Sequence, residues 1–372
     1  MSDFFKHNPA VFAVNKHYQI MMPCEKACLF FVRVGDKYYY DESNGIMCSR
    51  NKIHKVEVPA NELDNAKQYT VCIRPIIWRK AYFSKTKTVV EKTFRFYPIP
   101  ENNIRAYHIS DAHNNINEPI KAAEAFGEID FLILNGDVIE DSSNPSKFMN
   151  IFEICSKLTK GEKPSIFSRG NHDLRGNYAE KFASYTPAHN GNTYYSFRIG
   201  NIWGILLDCG EDKNDNHPEY GFTVACHPFR KRQTEFLKSI IENKETEYDA
   251  KDVRHKIVIS HNAFSHRYHS PFDIEQDIFA DWTKLLRENV KPEIMICGHA
   301  HELNIYYPDN TEWNTNGSVC PVVIGSTIKK SKPVYFAGCG YIFSDDKIEI
   351  IFTDSNGETL GKESLDITDK SN

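Results

Sequence analysis

The chain has 372 residues, more than one domain usually holds, so we expect two domains, one of them large. Its 45 basic and 50 acidic residues give a formal net charge of -5. This balance argues against a nucleic-acid partner and against a polybasic contact with a membrane.

The first residues, 1–9, lack the basic start, apolar core and small-residue cleavage site of a secretory signal, and no later stretch approaches membrane-spanning length. We therefore expect a cytoplasmic protein without a membrane contact. The ten cysteines are scattered singly, which predicts reduced and buried thiols. Cys24 and Cys28 are close in sequence, but no second pair of Cys or His follows at zinc-finger spacing, so the sequence assigns them no metal.

The first hundred residues alternate between apolar and polar positions in short runs, which predicts strands at 29–34, 37–40, 55–58, 69–74 and 93–96. Turns rich in Asp, Asn, Gly and Pro separate them, so we predict a small all-β sandwich at residues 1–99. Leu63 lies six residues before Tyr69. This spacing resembles the tyrosine corner of fibronectin type III-like domains, in which the phenol hydroxyl bonds back to the preceding turn. An unrelated edge hairpin is the alternative.

Two prolines in the segment 98–103 disfavour regular structure and mark a boundary, after which the pattern alternates between buried strands and helices. We predict a second domain at 100–372. Its predicted helices are 118–126, 147–158, 229–241 and 276–288, and its predicted strands are 104–109, 131–134, 165–168, 194–199, 202–207, 257–259, 294–297, 322–324, 335–337 and 348–352. A β-α-β order places ligands at the carboxyl ends of the strands.

Five short motifs follow those strands: Asp111-Ala112-His113, Gly136-Asp137, Gly170-Asn171-His172-Asp173, Ser260-His261 and Gly298-His299-Ala300-His301. Their Asp, Asn and His side chains are ligands for borderline-hard divalent metals. One tetrahedral metal would leave several of these donors unused, whereas two adjacent metals that share a bridging carboxylate would use nearly all of them. Two-metal sites of this kind activate water against phosphate esters.

The order of the motifs resembles that of the calcineurin-like metallophosphoesterase superfamily, and the resemblance covers about residues 104 to 325. It implies an α/β (α+β) fold, a four-layer αββα sandwich, which here follows the small all-β sandwich. It also implies a first metal held by Asp111, His113, Asp137 and His301, and a second held by Asp137, Asn171, His261 and His299. Asp137 would bridge them, and a hydroxide between the metals would be the nucleophile. Mn, Fe, Zn, Co and Ni all accept such ligands, so the metals stay open.

The remaining donor of the third motif, His172, has no metal in this pattern. The resemblance places it near the leaving group, where an imidazolium protonates the departing alkoxide, and it implies that Asp173 accepts the second ring proton. A purely structural role in the turn is the alternative for His172. Arg175 is a candidate substrate contact, because guanidinium matches the phosphate fork, or else a surface arginine.

A fibronectin-like domain before a metallophosphoesterase domain is similar to the purple acid phosphatases, but those enzymes carry D-x-G and G-D-x-x-Y where this chain has His113 and Glu140. Without that tyrosine, no phenolate can bind ferric iron. We predict a phosphomonoesterase-type phosphatase that acts on a small or medium phosphoester. A phosphodiesterase remains a close alternative, and a non-catalytic scaffold is a third.

Overall fold

The computed structural model describes residues 5–367. The strands of the first hundred residues are β1 (Ala10–Val14), β2 (His17–Pro23), β3 (Cys28–Val34), β4 (Lys37–Tyr40), β5 (Glu42–Ser43), β6 (Ile46–Met47), β7 (Ile53–Pro59), β8 (Gln68–Arg79), β9 (Ser84–Thr86) and β10 (Val90–Arg95). The strands that follow are β11 (Ile104–Ile109), β12 (Phe131–Asn135), β13 (Pro164–Ser168), β14 (Tyr195–Ile199), β15 (Ile202–Leu206), β16 (His255–Ile259), β17 (Ile294–Cys297), β18 (Glu302–Tyr306), β19 (Val322–Lys329), β20 (Tyr335–Phe343), β21 (Lys347–Asp354) and β22 (Thr359–Asp366). The helices are α1 (Ala60–Ala66), α2 (Asn117–Phe126), α3 (Met149–Leu158), α4 (Phe182–Tyr185), α5 (Cys226–Glu242) and α6 (Gln276–Leu285), and a π-helical turn, Leu286–Val290, continues α6.

Two large sheets form the centre of the molecule. The first has the strand order β22-β21-β20-β11-β12-β13-β1-β2-β7, and the second has the order β14-β15-β16-β17-β19, with β18 added on β19. Strand β19 belongs to both, because residues 322–324 pair with β17 and residues 327–329 pair with β20. Strands β11, β12 and β13 run parallel to one another, and so do β15, β16 and β17.

The side chains of one strand show how the layers are stacked. In β16, Ile257 and Ile259 are buried in the core between the two sheets, whereas Val258 is buried in a second core. That second core also contains Leu237 of α5 and Trp282 of α6. On the far side, α2 packs against β20 and β21. Because alternate residues of a strand point to opposite faces, each sheet has one face toward the other sheet and one toward helices. This confirms the predicted four-layer α/β sandwich.

The first hundred residues contribute to three sheets. Strands β1, β2 and β7 extend the first large sheet, and β1 lies parallel to β13 with Val11 opposite Pro164. Strands β3, β4, β8, β9 and β10 form a five-stranded sheet in the order β10-β8-β3-β4, with β9 on β8, and the short strands β5 and β6 pair only with each other. The strands that alternation predicted in this region are present, but the pairing of β1 with β13 crosses the predicted boundary between residues 99 and 100. That boundary stays a prediction.

Tyr69 does not form a tyrosine corner, so this prediction was wrong. Leu63 lies in α1 rather than in a turn, and its carbonyl accepts the backbone N–H of Lys67. The Tyr69 hydroxyl instead donates a hydrogen bond of 2.6 Å to the carbonyl of Gly161, which follows α3. The phenol therefore ties the five-stranded sheet to the loop after α3.

All ten cysteines are free, and all except Cys48 are buried, as the scattered spacing predicted. Among residues 5–367, no helix is long and apolar enough to cross a membrane.

Candidate metal centre

Each motif begins where a strand ends. Asp111 follows β11, Asp137 follows β12, Asn171 follows β13, His261 follows β16 and His299 follows β17. Since the first three strands belong to one sheet and the last two to the other, the carboxyl ends of both sheets meet at a single site.

The two sheets are joined at this site by Asn135, the last residue of β12. Its fully buried side-chain amide donates to the carbonyls of Ser260 and Ile296, both at 3.2 Å, and these residues belong to the second sheet and its loop. Its own carbonyl accepts from Ser110 Oγ at 2.7 Å. Nothing in the sequence pointed to Asn135, because its partners are 125 and 161 residues away.

Two glycines of the motifs are required because other atoms of the site lie directly against their Cα atoms. A Cβ on Gly170 would lie 2.2 Å from Asp137 Oδ1, and a Cβ on Gly298 would lie 1.9 Å from Ser110 Oγ. Both distances are far below van der Waals contact. A larger residue at either position would displace a side chain of the site.

Backbone strain is concentrated in the same loops. Asp111, His113, Asp137, His299 and His301 all have positive φ, between 46° and 67°. Such conformations are costly for residues other than glycine and are typical of functional sites. The surrounding hydrogen bonds maintain them, for example the 2.9 Å bond from the His113 N–H to the carbonyl of Asp137.

Protein donors hold both central carboxylates. Asp111 Oδ2 accepts from Ser326 Oγ at 2.7 Å, and the His299 N–H is shared between Asp111 Oδ2 at 3.1 Å and Oδ1 at 3.2 Å. Asp137 Oδ1 accepts from the His172 N–H at 2.9 Å. Asp111 Oδ1 and Asp137 Oδ2 also face the imidazole of His261.

His261 shows that the site is built for positive charge. Its Nδ1 donates to the carbonyl of Asn135 at 2.8 Å, so in the neutral ring the lone pair is on Nε2. That Nε2 is buried, has no hydrogen-bond partner among the described residues, and lies 3.2 Å from Asp137 Oδ2 and 3.8 Å from Asp111 Oδ1. Burial alone would lower the pKa of His261, but the charges of Asp137 and Asp111, with the hydrogen bond to the Asn135 carbonyl, together outweigh it and raise the pKa to about 10. In the metal-free protein a proton on Nε2 therefore lies between the two carboxylates, at the position that a bound cation would take.

A second group of donors, His113 and His301, also lies beside Asp111. His301 Nε2 lies 3.5 Å from Asp111 Oδ1, and the rings of His113 and His301 stack with centroids 5.3 Å apart. Burial lowers the pKa of His113 to about 4. It therefore keeps His113 in the neutral form that binds metals.

Asn171 and His299 lie together beyond His261. Asn171 Oδ1 lies 3.0 Å from His299 Nδ1, and the Asn171 amide donates to Asp212 Oδ2 at 3.4 Å. The ring of His299 has its centroid 5.4 Å from that of His261. Burial, followed by the charge of His261, lowers the pKa of His299 to about 4, so this imidazole is also neutral.

The residue that the two closest donor groups have in common is not the one that the sequence predicted. Within residues 5–367, Asp111, His113 and His301 form one group whose ligand atoms all lie within 4.8 Å of one another, and Asp111, Asp137 and His261 form another. The residue common to both groups is Asp111, whereas the sequence predicted Asp137 as the shared ligand. The assignment of the bridge therefore stays a prediction.

His172 lies beside the site, but its predicted contact with Asp173 is not formed. His172 Nδ1 lies 2.9 Å from the carbonyl of Glu140. Asp173 is fully buried and accepts the backbone N–H groups of Gly170 at 2.8 Å and Asp137 at 3.3 Å. Successive side chains of the 3₁₀ turn His172–Leu174 point in different directions, so His172 and Asp173 cannot face the same partner. Burial, followed by the Asp137 charge, raises the pKa of Asp173 to about 8.

Arg175 lies at the edge of the site with its guanidinium already paired. Nε and Nη2 contact the two oxygens of Glu211, each at 3.1 Å, and Nη1 lies 3.3 Å from His172 Nε2. The Arg175 side chain is 27% exposed, so it is not an ordinary surface arginine. Glu211 was not predicted, since nothing in the sequence connects positions 36 residues apart.

Glu140, which stands where purple acid phosphatases carry their tyrosine, reaches the first group of donors. Its Oε2 lies 3.1 Å from His113 Nδ1 and 2.8 Å from Lys330 Nζ. Glu140, His113 and His172 form a further group of potential metal ligands. Glu140 could be found from the sequence because it follows Gly136-Asp137 at a fixed spacing, whereas no motif contains Lys330.

The family model for calcineurin-like phosphoesterases matches residues 104–303, which contain every motif of the site. The chain therefore belongs to the calcineurin-like phosphoesterase family: it is a phosphoesterase, and hydrolysis in this family depends on metal ions. No curated protein is detectably similar to the chain in sequence.

Solved structures are similar to this one at low sequence identity. The purple acid phosphatase PPD1 from yellow lupin (Lupinus luteus) seeds is 14% identical, with a TM-score of 0.59, over 96% of this chain and 74% of that one. A predicted phosphoesterase from Streptococcus pneumoniae TIGR4 is 13% identical, with a TM-score of 0.31, over 71% of this chain and 98% of that one. The first likeness extends through the N-terminal β region and shows the fold alone.

Proposed function

We propose that the chain is a dinuclear phosphatase that hydrolyses phosphate monoesters of small or medium molecules. The observation that carries the proposal is His261 Nε2, which faces Asp137 Oδ2 at 3.2 Å and Asp111 Oδ1 at 3.8 Å inside a ring of further imidazoles. Neutral imidazoles and carboxylates are ligands for Mn, Fe, Zn, Co and Ni. We infer two such ions, because one ion could not use all the donors.

The residues for each ion follow from the donor groups and the pattern of the motifs. His113 and His301, together with Asp111, would hold the first ion, and His261, Asn171 and His299 would hold the second. Asp137 would contribute to both, and the His172 N–H helps to hold its carboxylate in place through Oδ1. When bound, ions of this kind polarise the phosphoryl group and lower the pKa of bound water to about 7.

His172 and Arg175 would handle the leaving group and the phosphate oxygens. The Nδ1 proton of His172 is directed to the Glu140 carbonyl, so Nε2 is the atom that can give a proton to a departing alkoxide. In the substrate-free arrangement Arg175 Nη1 faces that Nε2 at 3.3 Å. A phosphate oxygen that draws Nη1 away would allow Nε2 to carry the proton, while Glu211 holds the rest of the guanidinium in place.

Charge at the edge of the site is balanced. Arg175 contacts the ring of His172, and Lys330 contacts Glu140, whose carbonyl binds the same ring. Each cation is paired with a carboxylate, Arg175 with Glu211 and Lys330 with Glu140, so the assay of both substrate types decides between monoester and diester.

The test is a side-by-side assay of the metal-loaded protein on aryl phosphate monoesters and diesters, with wild type and Asp137→Ala. We expect faster turnover of the monoester, and we expect Asp137→Ala to lose at least one metal per chain and its turnover. A folded Asp137→Ala protein that keeps two metals and near-normal activity would refute the dinuclear assignment. Faster turnover of the diester would establish the phosphodiesterase alternative. If the metal-loaded wild type hydrolyses neither substrate, the non-catalytic scaffold is the interpretation that remains.

A further inference from the structure

A second group of metal-ligating side chains lies in the N-terminal region, far along the chain from the phosphoesterase motifs. Cys24 follows β2, Cys28 begins β3 and His54 lies in β7. Their ligand atoms all lie within 4.8 Å of one another, and the three side chains are 4%, 0% and 0% exposed. We propose that they bind one Zn²⁺. The sequence did not predict this site, because His54 is 26 residues beyond Cys28 and has no partner at zinc-finger spacing.

The distances suit tetrahedral zinc. Cys28 Sγ and His54 Nε2 are 3.5 Å apart. Bond lengths of about 2.3 Å for Zn–S and about 2.0–2.1 Å for Zn–N, at a tetrahedral angle, place two such ligand atoms about 3.6 Å apart. A thiol–imidazole hydrogen bond would have a similar length. A hydrogen bond between Cys28 and His54, however, does not explain why the thiol of Cys24 lies next to the same two ligand atoms.

The imidazole is held in the orientation that a ligand needs. His54 Nδ1 lies 2.5 Å from Asp41 Oδ2, and Asn51 Nδ2 donates to the same oxygen at 3.2 Å. The ring of Phe30 stacks on the imidazole with centroids 5.4 Å apart. A carboxylate that accepts the Nδ1 proton leaves the Nε2 lone pair directed at the metal, which is the usual arrangement behind a metal-binding histidine.

The backbone around the thiols is fixed by one loop. The N–H of Cys24 donates to the carbonyl of Lys52 at 2.8 Å, and the N–H of Cys28 donates to the carbonyl of Ser49 at 3.2 Å. Cys24 also lines a groove of about 460 Å³ with Lys6, Glu25 and other residues, which offers a path for the ion and a place for a water ligand. Two thiolates and an imidazole select zinc over the harder divalent ions.

The proposed ion would connect the two sheets of the N-terminal region. His54 lies on β7, which belongs to the large catalytic sheet, whereas Cys28 lies on β3 of the five-stranded sheet. Zinc binding would therefore stabilise the sandwich rather than take part in phosphoester hydrolysis.

The experiment uses Co²⁺ in the whole chain as the probe, because thiolate-to-cobalt charge transfer absorbs in the near ultraviolet and the phosphoesterase ligands include no thiolate. We expect this band in the wild type, its loss in Cys28→Ser, and its retention in Cys72→Ser, a buried cysteine of the same five-stranded sheet. Zinc content should fall by one ion per chain in Cys28→Ser and stay unchanged in the control. Phosphoesterase activity measured in parallel reports on the other metal site.

Several results would overturn the proposal. They are a wild-type protein without the band, a band that persists in Cys28→Ser, an equal loss of the band in Cys72→Ser, or a disulfide between Cys24 and Cys28 in the protein as isolated. If Cys28→Ser does not fold, the wild-type spectrum and the wild-type zinc content still decide the question.

Discussion

Gly170 determines the position of Asp137 by having no side chain. A Cβ there would lie 2.2 Å from Asp137 Oδ1, and the backbone φ of Gly170 is not positive. Alanine is therefore excluded by contact alone. We expect Gly170→Ala to displace the Asp137 carboxylate and to reduce turnover by at least 100-fold, about 3 kcal/mol in transition-state stabilisation, with weaker metal binding.

Gly361→Ala in β22 is the matched control, since its nearest neighbour would lie 3.7 Å away and its φ is also not positive. The two variants should be compared in turnover, in metal content and in far-ultraviolet circular dichroism. A Gly170→Ala protein that is as active as the control would show that Asp137 does not depend on this close approach.

His172 should matter in proportion to how strongly the leaving group needs a proton. General acid catalysis contributes about 10²–10⁴-fold when an alkoxide departs and little when the leaving phenolate is already stable. We expect His172→Ala to keep its metals, to lose most activity on alkyl phosphates and to lose much less on nitrophenyl phosphate. Turnover of both substrates and metal content are the measurements.

Equal losses of His172→Ala on both substrates would mean that the ring positions phosphate, or holds Arg175, instead of donating a proton. Arg175→Lys separates these roles, because lysine keeps the charge but cannot bind Glu211 through two nitrogens. If His172 acts as the acid, Arg175→Lys should reduce activity on both kinds of substrate to a similar extent.

Residues next to motif glycines were predictable, and residues held by tertiary contacts were not. The candidate ligands could be proposed because Asp, Asn and His beside glycine at a strand end have few structural reasons to occur together. Ser326 binds Asp111 across 215 residues, and Glu211 binds Arg175 across 36. The identity of such residues is ordinary, and only the packing of the two sheets makes them part of the site.

Among the elements, periodicity located the amphipathic helices and many of the strands. The predicted helix 118–126 is α2 at Asn117–Phe126, and 147–158 is α3 at Met149–Leu158. Strands β1, β2, β18 and β22 were among those missed. Every residue of β1 is buried, and β2 is buried at all but its ends, so neither alternates, and no ligand motif marks the end of either strand, as one does for the equally buried β12.

Tyr69 connects two elements that are distant in sequence, β8 and the loop after α3. Its hydroxyl is buried and donates to the Gly161 carbonyl at 2.6 Å. Tyr69→Phe leaves that buried acceptor without its donor, so we expect a loss of about 1–3 kcal/mol in the free energy of unfolding. Denaturant unfolding of both proteins measures the difference.

Tyr38→Phe is a suitable control, because that side chain is 50% exposed and the change should stay within about 0.5 kcal/mol. If Tyr69→Phe is no less stable than Tyr38→Phe, the hydroxyl contributes nothing to the attachment of β8.

At the scale of the whole molecule, the N-terminal region is part of the catalytic sheet. Strand β1 pairs with β13, which leads into the motif of Asn171 and His172. The ring of Phe12 packs edge-on against Phe152 of α3 at 6.5 Å and Phe167 of β13 at 6.4 Å. Lys55 Nζ donates to the carbonyls of Ala183 and Thr186. A change in the N-terminal strands therefore acts directly on the strand that precedes two site residues.

We therefore expect the chain to unfold as one cooperative unit, although the sequence predicts two domains. Calorimetry of the metal-free protein should give one transition, with equal calorimetric and van't Hoff enthalpies. A fragment of residues 100–372 should aggregate, because removing β1 exposes the edge of β13 and the apolar surface under Phe12. Two separate transitions, or a soluble fragment that binds metals and hydrolyses phosphoesters, would show that the first hundred residues form an independent domain. In that case the pairing of β1 with β13 would be a contact between domains that folding does not require.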